Sequence, residues 1–219
     1  MIDDLGRRVS DVDRLEALGV TWTAAVLPFE SRTGEVVAAL KSRGVEYLCH
    51  LPMQPVSANP GPGALRVDMN RRELEKATRA ALDAVPGASG VNNHMGSVLS
   101  ADRQAMLSIL GELAQRRLFF LDSRTSAASV GYDVALELGL PAAERQVFLD
   151  AEPGREAVEA QFVRLLEVAR QRGAAVAIGH PHADTFAVLQ SQVARAVAAG
   201  YEFVPASYLL DRPAAGLEP

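Results

Sequence analysis

The feature that most constrains this chain is a repeated alternation of short apolar runs with longer amphipathic segments. The apolar runs occupy residues 21–28 (TWTAAVLP), 46–50 (EYLCH), 88–92, 118–122 (LFFLD), 146–150 (QVFLD), 174–180 (AAVAIGH) and 201–205 (YEFVP). Each is short and bounded by polar residues, Gly or Pro, as buried strands are. A further strand is expected to end near Leu5 and Gly6. Between the runs, apolar residues recur at helical spacing, as in Met106, Ile109, Leu110 and Leu113, with Ser100 ahead of them, and in Val158, Phe162, Leu165, Leu166 and Ala169. Ser10 with Asp13, and Asn70 with Glu73 ahead of residues 71–84, have the spacing of capping boxes. Gly44, Gly173 and Gly200 stand where helices should stop in a left-handed cap.

Regular strand–helix alternation predicts a parallel sheet. About seven units favour a distorted (β/α) barrel with at least six parallel strands, with a doubly wound sheet as the competing architecture. The 219 residues suffice for one core, so a single domain over residues 1–210 is expected, followed by a frayed tail at 211–219. The longest irregular stretch, residues 51–69, is rich in Pro and Gly, and a loop of that length in a compact domain is expected to be functional. A net charge of −5 argues against nucleic acid as a partner. The longest apolar stretch falls short of the roughly 18 residues of a transmembrane helix, and residues 1–8 lack the apolar core of a signal peptide. The single cysteine, Cys49, excludes an internal disulfide.

Position makes the polar residues informative. His50 and His180 end apolar runs, His94 follows one, Asp122 and Asp150 close others, and Asp3 and Asp4 precede the end of the first. In a parallel β/α fold all strand C-termini share one face, so residues scattered through the sequence converge there. Asp150 reads as a helix N-cap ahead of Pro153, and His182 as a loop residue before Asp184. Asp4, His50 and His94 are either separate hydrogen-bonding residues or an open three-ligand zinc site.

Several strings go further: IDDLG at 2–6, AVLPF at 25–29, HLPMQP at 50–55, GVNNHMGS at 90–97, FFLDSRTS at 119–126, VFLD at 147–150 and AIGHP at 177–181. In this order and spacing the chain resembles the divergent polysaccharide deacetylase family, from residue 2 to about residue 210. The resemblance implies a distorted barrel and a metal-dependent hydrolase, with zinc the expected ion and an N-acetylated polysaccharide or cell-wall glycan as substrate. A catalytically inactive glycan- or protein-binding domain on the same fold is the alternative. By this resemblance Asp3 is the base, Asp4 and His50 are metal ligands, and His180 protonates the leaving group. The second histidine of the superfamily's metal motif is replaced by Gln54, which is expected to approach the same site, and His94 is the replacement ligand. Asp122 is expected to orient a ligand imidazole or His180. Arg124 either fixes that carboxylate or forms a structural ion pair. Asn92, Asn93 and Ser123 either contact substrate or support the loop ends. The resemblance also suggests a periplasmic or cell-envelope location, and a cytoplasmic one if the chain truly starts at Met1.

Overall fold

The computed structural model describes residues 1–211. Eight strands alternate with seven helices: β1 (Ile2–Leu5), α1 (Val9–Glu16), β2 (Thr23–Val26), α2 (Thr33–Arg43), β3 (Glu46–Met53), α3 (Arg71–Ala84), β4 (Gly90–Met95), α4 (Arg103–Gln115), β5 (Phe119–Asp122), α5 (Gly131–Glu137), β6 (Ala142–Glu144), β7 (Val147–Phe148), α6 (Arg155–Arg172), β8 (Ala177–Ile178) and α7 (Ala183–Ala198). The first six strands form one parallel sheet in sequence order, and β7 pairs with β8 in a second parallel ladder. A parallel bridge between Ile2 and Gly179, with Asp3 N–H donating to Gly179 O at 2.9 Å, joins β8 to β1. The interruption falls between β6 and β7, which gives the distorted barrel that the alternation predicts.

Strand side chains alternate in direction, which sorts the barrel into two layers. On the outer side, Cys49, Leu51, Val91 and Phe120 join the large core shared with the helices. On the inner side Ala25, Leu48, Phe119, Leu121 and Ile178 form a small apolar cluster. Two residues beyond Leu48, Leu121 and Ile178 come His50, Ser123 and His180, with Asn92 beside His50 and in contact with Asp3. The inner layer thus changes from apolar to polar toward the strand C-termini, and that change places the site.

Local chemistry explains most element boundaries. Asn70 caps α3 in a reciprocal box with Glu73, as expected. Gly44 and Gly173 close α2 and α6 in the left-handed region (φ 67° and 83°). Two expectations are corrected, the cap at Ser10 and the strand at 201–205. Ser10 lies inside α1, which starts at Val9 without a side-chain cap, while the exposed guanidinium of Arg8 reaches Asp11 at 3.1 Å. The cap of α4 is Asp102, whose carboxylate accepts from the N–H groups of Gln104 and Ala105. Residues 201–205 form no strand; the ladder beside β1 that they would extend is taken by β8, which bridges to β1. They lead instead to a 3₁₀ turn at Ala206–Leu209, anchored where Ala206 N–H donates to Thr23 Oγ1 at 2.9 Å.

Of the expected tail, Asp211 bridges Ala142 and accepts from the Tyr132 hydroxyl at 2.6 Å, while residues 212–219 lie outside the described residues. No described helix is long and apolar enough to cross a membrane.

Candidate metal and acid–base site

The site begins with a distortion. Consecutive strand residues point to opposite faces, so Asp3 and Asp4 should diverge. The β1–β2 register instead shifts between Ile2 and Leu5, and Asp4 takes a left-handed conformation (φ 59°). This bulge turns both carboxylates inward: Asp3 Oδ2 lies 3.4 Å and Asp4 Oδ1 3.3 Å from His50 Nε2. Met95 and Arg124, at the ends of β4 and β5, are also left-handed (φ 53° and 48°). Non-glycine residues in this region cost of order 1–2 kcal/mol each, and such strain clusters at functional sites.

Asp4 Oδ1, His50 Nε2 and His94 Nδ1 form a triangle. His94 Nδ1 is 2.9 Å from Asp4 Oδ1 and 3.1 Å from His50 Nε2, which is itself 3.3 Å from Asp4 Oδ1. Donor atoms that each sit about 2.0–2.2 Å from one zinc ion must lie roughly 3–3.5 Å from one another. Asp4 Oδ1 is buried and has no well-directed hydrogen-bond donor among the described residues, despite the two ring nitrogens beside it. An orphaned carboxylate oxygen facing two imidazoles fits a cation that satisfies all three groups. Burial acts to raise the Asp4 pKa, but contact with His50 and His94 and their charges outweigh it and hold it well below the usual carboxylate range. Burial acts to lower the His50 pKa, but the charges of Asp3 and then Asp4 raise it.

Asp3 stands beside this triangle. Burial raises its pKa, against the opposing influence of His50 and His180. His180 lies just beyond β8, and its Nδ1 donates to Asp150 Oδ1 at 2.9 Å. Asp150 Oδ2 accepts from the His180 N–H at 2.6 Å and from the Thr185 hydroxyl at 2.7 Å. Burial alone would lower the His180 pKa, but the Asp150 hydrogen bond and the charges of Asp3 and Asp150 raise it to about 9. Burial works against ionisation of Asp150, yet the bonds from His180 and Thr185 lower its pKa.

Several expectations are corrected here. Asp150 caps no helix; α6 starts after Gly154 without a side-chain cap, and Asp150 orients His180 instead. The clue was in the order of elements, since β7 and β8 are parallel neighbours and their ends must meet. Asp122 does not reach an imidazole. It accepts from Arg124 N–H (2.8 Å), Ser129 Oγ (2.7 Å) and Tyr132 N–H (3.2 Å), and so holds the loop into α5. The Arg124 side chain donates to Ser129 O at 3.1 Å and approaches Glu144 at 3.4 Å. Gln54 turns away from the triangle, with Oε1 accepting from Val67 N–H at 2.9 Å, and so pins the 51–69 loop.

Asn93 also serves the backbone, accepting from Ser123 N–H and donating to Met95 O, both at 2.8 Å. Asn92 and Ser123 belong to the site, joined at 3.1 Å. Arg145, which sequence reasoning missed, donates to the carbonyls of Ser123 (2.6 Å) and Arg124 (2.7 Å) from the interruption between β6 and β7. His182 is exposed, with its ring centroid 5.6 Å from that of His180.

A cleft of about 210 Å³ opens over the triangle, with Asp4 and His94 in its lining and Arg7, Phe29, Glu30 and Pro60 around them. The long loop closes tightly on it: a Cβ on Gly63 (φ 73°) would lie 2.1 Å from the Phe29 ring. A larger cavity of about 510 Å³ lies at the other end of the barrel, among Trp22, Phe162, Val176 and Phe203. Its lining is mostly apolar and holds none of the converging groups, so size does not identify the site.

Comparison with known proteins bears on the fold and the family. The family described as divergent polysaccharide deacetylase matches residues 1–210. The uncharacterized protein YibQ of Escherichia coli is 36% identical over 214 residues, which cover 97% of this chain and 67% of that protein. An uncharacterized protein of Agrobacterium tumefaciens has a similar crystal structure, with a TM-score of 0.87 at 21% identity, covering 95% of this chain and 86% of the other. A CE4 family pseudoenzyme from Bacillus anthracis shares the fold at a TM-score of 0.55 and 13% identity, covering 96% of this chain and 63% of the other. Matched over residues 1–210, this chain belongs to the divergent polysaccharide deacetylase family.

Proposed function

We propose that this chain is a metal-dependent hydrolase that removes acetyl groups from an N-acetylated glycan, with zinc as the ion and a cell-envelope polysaccharide as the substrate class. The observation that carries the reading is the convergence of Asp4 Oδ1, His50 Nε2 and His94 Nδ1 beside Asp3 and near an oriented His180. Two nitrogens and one oxygen, open on the cleft side, are the donor set of a catalytic rather than a structural zinc site. A divalent ion held there would polarise the acetamide carbonyl and lower the pKa of a water to roughly 7.

The chain's own groups supply the proton transfers. Asp3 accepts a proton from the attacking water, and burial makes it a stronger base than an exposed carboxylate. His180, protonated at neutral pH and oriented by Asp150, donates to the amine nitrogen as the C–N bond breaks. The products are acetate and a free amino sugar. Phe29 and Pro60 shape the cleft that would receive the sugar ring. A glycan substrate of this class supports a periplasmic or cell-envelope location.

A second reading, a glycan-binding domain without turnover, is favoured by Gln54, which stands in place of a histidine ligand and faces the loop. Metal analysis of the purified protein together with acetate release from N-acetylated glycans separates the two. The hydrolase reading expects bound zinc and released acetate, both lost in His94→Ala. Bound zinc without acetate release from any such glycan would leave the binding domain as the conclusion.

A further inference from the structure

We propose that Asn92 is a positioning residue whose carboxamide fixes the tautomer of His50 and ties that imidazole to Asp3. The inference rests on the reading above, with His50 as ligand and Asp3 as base. Asn92 is fully buried on β4, directly opposite His50 on β3. Its Oδ1 lies 2.9 Å from His50 Nδ1. Its Nδ2 lies 3.1 Å from each oxygen of Asp3 and 3.1 Å from Ser123 Oγ.

A carboxamide offers two N–H donors and one carbonyl acceptor, and all of them are committed here. One N–H is shared between the two Asp3 oxygens, the other goes to Ser123, and the carbonyl faces the imidazole. The flipped orientation would set the Asn92 carbonyl against the Asp3 carboxylate, acceptor against acceptor. A carboxylate therefore sets the direction of the amide. The amide in turn requires the His50 proton on Nδ1 and leaves the Nε2 lone pair free. Nε2 is the atom in the triangle, 3.3 Å from Asp4 Oδ1 and 3.1 Å from His94 Nδ1.

The outer partner of a metal-binding histidine is often a carboxylate. A carboxylate at position 92 would orient the imidazole equally well, but it would also place a second negative charge about 3 Å from Asp3 and present no donor to it. Only a side chain with an acceptor at one end and donors at the other serves both neighbours. Aspartate, leucine and alanine each fail at least one of them.

The test uses the full chain and two variants, Asn92→Leu and Asn92→Asp. The His50 tautomer is read from imidazole ¹⁵N shifts in metal-free protein, followed upward in pH until the ring is neutral, because Asp3 and Asp4 raise its pKa. With four histidines in the chain, assignment follows from the signals lost in His50→Ala. Zinc affinity is read by chelator competition, and folding by circular dichroism. In wild type His50 is expected as the Nδ1–H tautomer. Asn92→Leu should lose that preference and bind zinc about 10–100-fold more weakly, as outer partners of metal ligands typically do when removed. Asn92→Asp should keep the tautomer and bind zinc no more weakly, yet lose turnover through the lost bond to Asp3.

A folded Asn92→Leu protein with wild-type tautomer and zinc affinity would overturn the proposal. So would an Nε2–H tautomer in Asn92→Asp, which decides the matter if the leucine variant does not fold. The tautomer measurement needs no metal, so it judges Asn92 separately from the site. Zinc binding that is absent from wild type, or unaffected in His50→Ala, would instead remove the metal-site reading.

Discussion

Two clusters at the same end of the barrel have the same composition and opposite chemistry. Asp4, His50 and His94 bring three potential ligand atoms within 4.8 Å of one another, and so do Asp150, His180 and His182. In the first, the carboxylate oxygen facing the rings has no well-directed donor among the described residues. In the second, Asp150 accepts three hydrogen bonds, two from His180 and one from Thr185. His182 adds an exposed ring at that cluster's edge. A carboxylate whose oxygens are already bonded has little left to offer a cation, whereas one facing lone pairs requires a cation. The hydrogen-bond account, rather than the residue list, separates a metal site from a proton-transfer pair.

The largest effect expected from this comparison is on zinc affinity. His50→Ala or His94→Ala should weaken it by more than the ~100-fold upper end seen for outer partners. His182→Ala should leave it unchanged, and zinc lost from that variant would invert the assignment of the two clusters. Next come the proton-transfer groups. Asp3→Asn and His180→Ala should each keep zinc, as measured by metal analysis, and lose about 10²–10⁴-fold in acetate release. Metal loss in either would mean that a ligand had been mistaken for an acid or base.

Asp150→Asn should act more mildly, through pH. Without the carboxylate, the His180 pKa should fall from about 9 toward 6.5, moving the alkaline limb of the pH–rate profile to lower pH. Stability should follow the same linkage. The raised His180 pKa contributes stability that is complete below about pH 6.5 and lost as pH rises through about 9. The lowered Asp150 pKa contributes stability present above about pH 4 and lost on acidification. The melting-temperature gap between wild type and Asp150→Asn should therefore be widest between about pH 4 and 6.5, and an alkaline maximum would contradict the pairing. Smallest of all, Gln54→Glu should leave zinc affinity unchanged, because the side chain holds Val67 N–H rather than facing the triangle. A tighter site in that variant would show that the loop repositions.

The features legible in the sequence are those that alternation controls. Parallel strands put their C-termini on one face, so the convergence of His50, His94 and His180 followed from their places in the chain. The Asn70–Glu73 cap was legible because its two contacts lie within one helical turn. The rest depended on contacts that local patterns do not encode. Alternation would have sent Asp3 and Asp4 apart, and only the bulge with its left-handed Asp4 unites them. Asp150 had two plausible partners, a following helix and a neighbouring strand end, and spacing alone could not choose. Residues 201–205 have the composition of a strand but do not pair, and β8 rather than this segment bridges to β1.

The most direct measurement is a crystal structure of zinc-soaked protein with anomalous data at the zinc edge. One strong peak is expected about 2.0–2.2 Å from Asp4 Oδ1, His50 Nε2 and His94 Nδ1, with the His180–Asp150 bond intact. A peak at Asp150, His180 and His182, or no peak at Asp4, would contradict it.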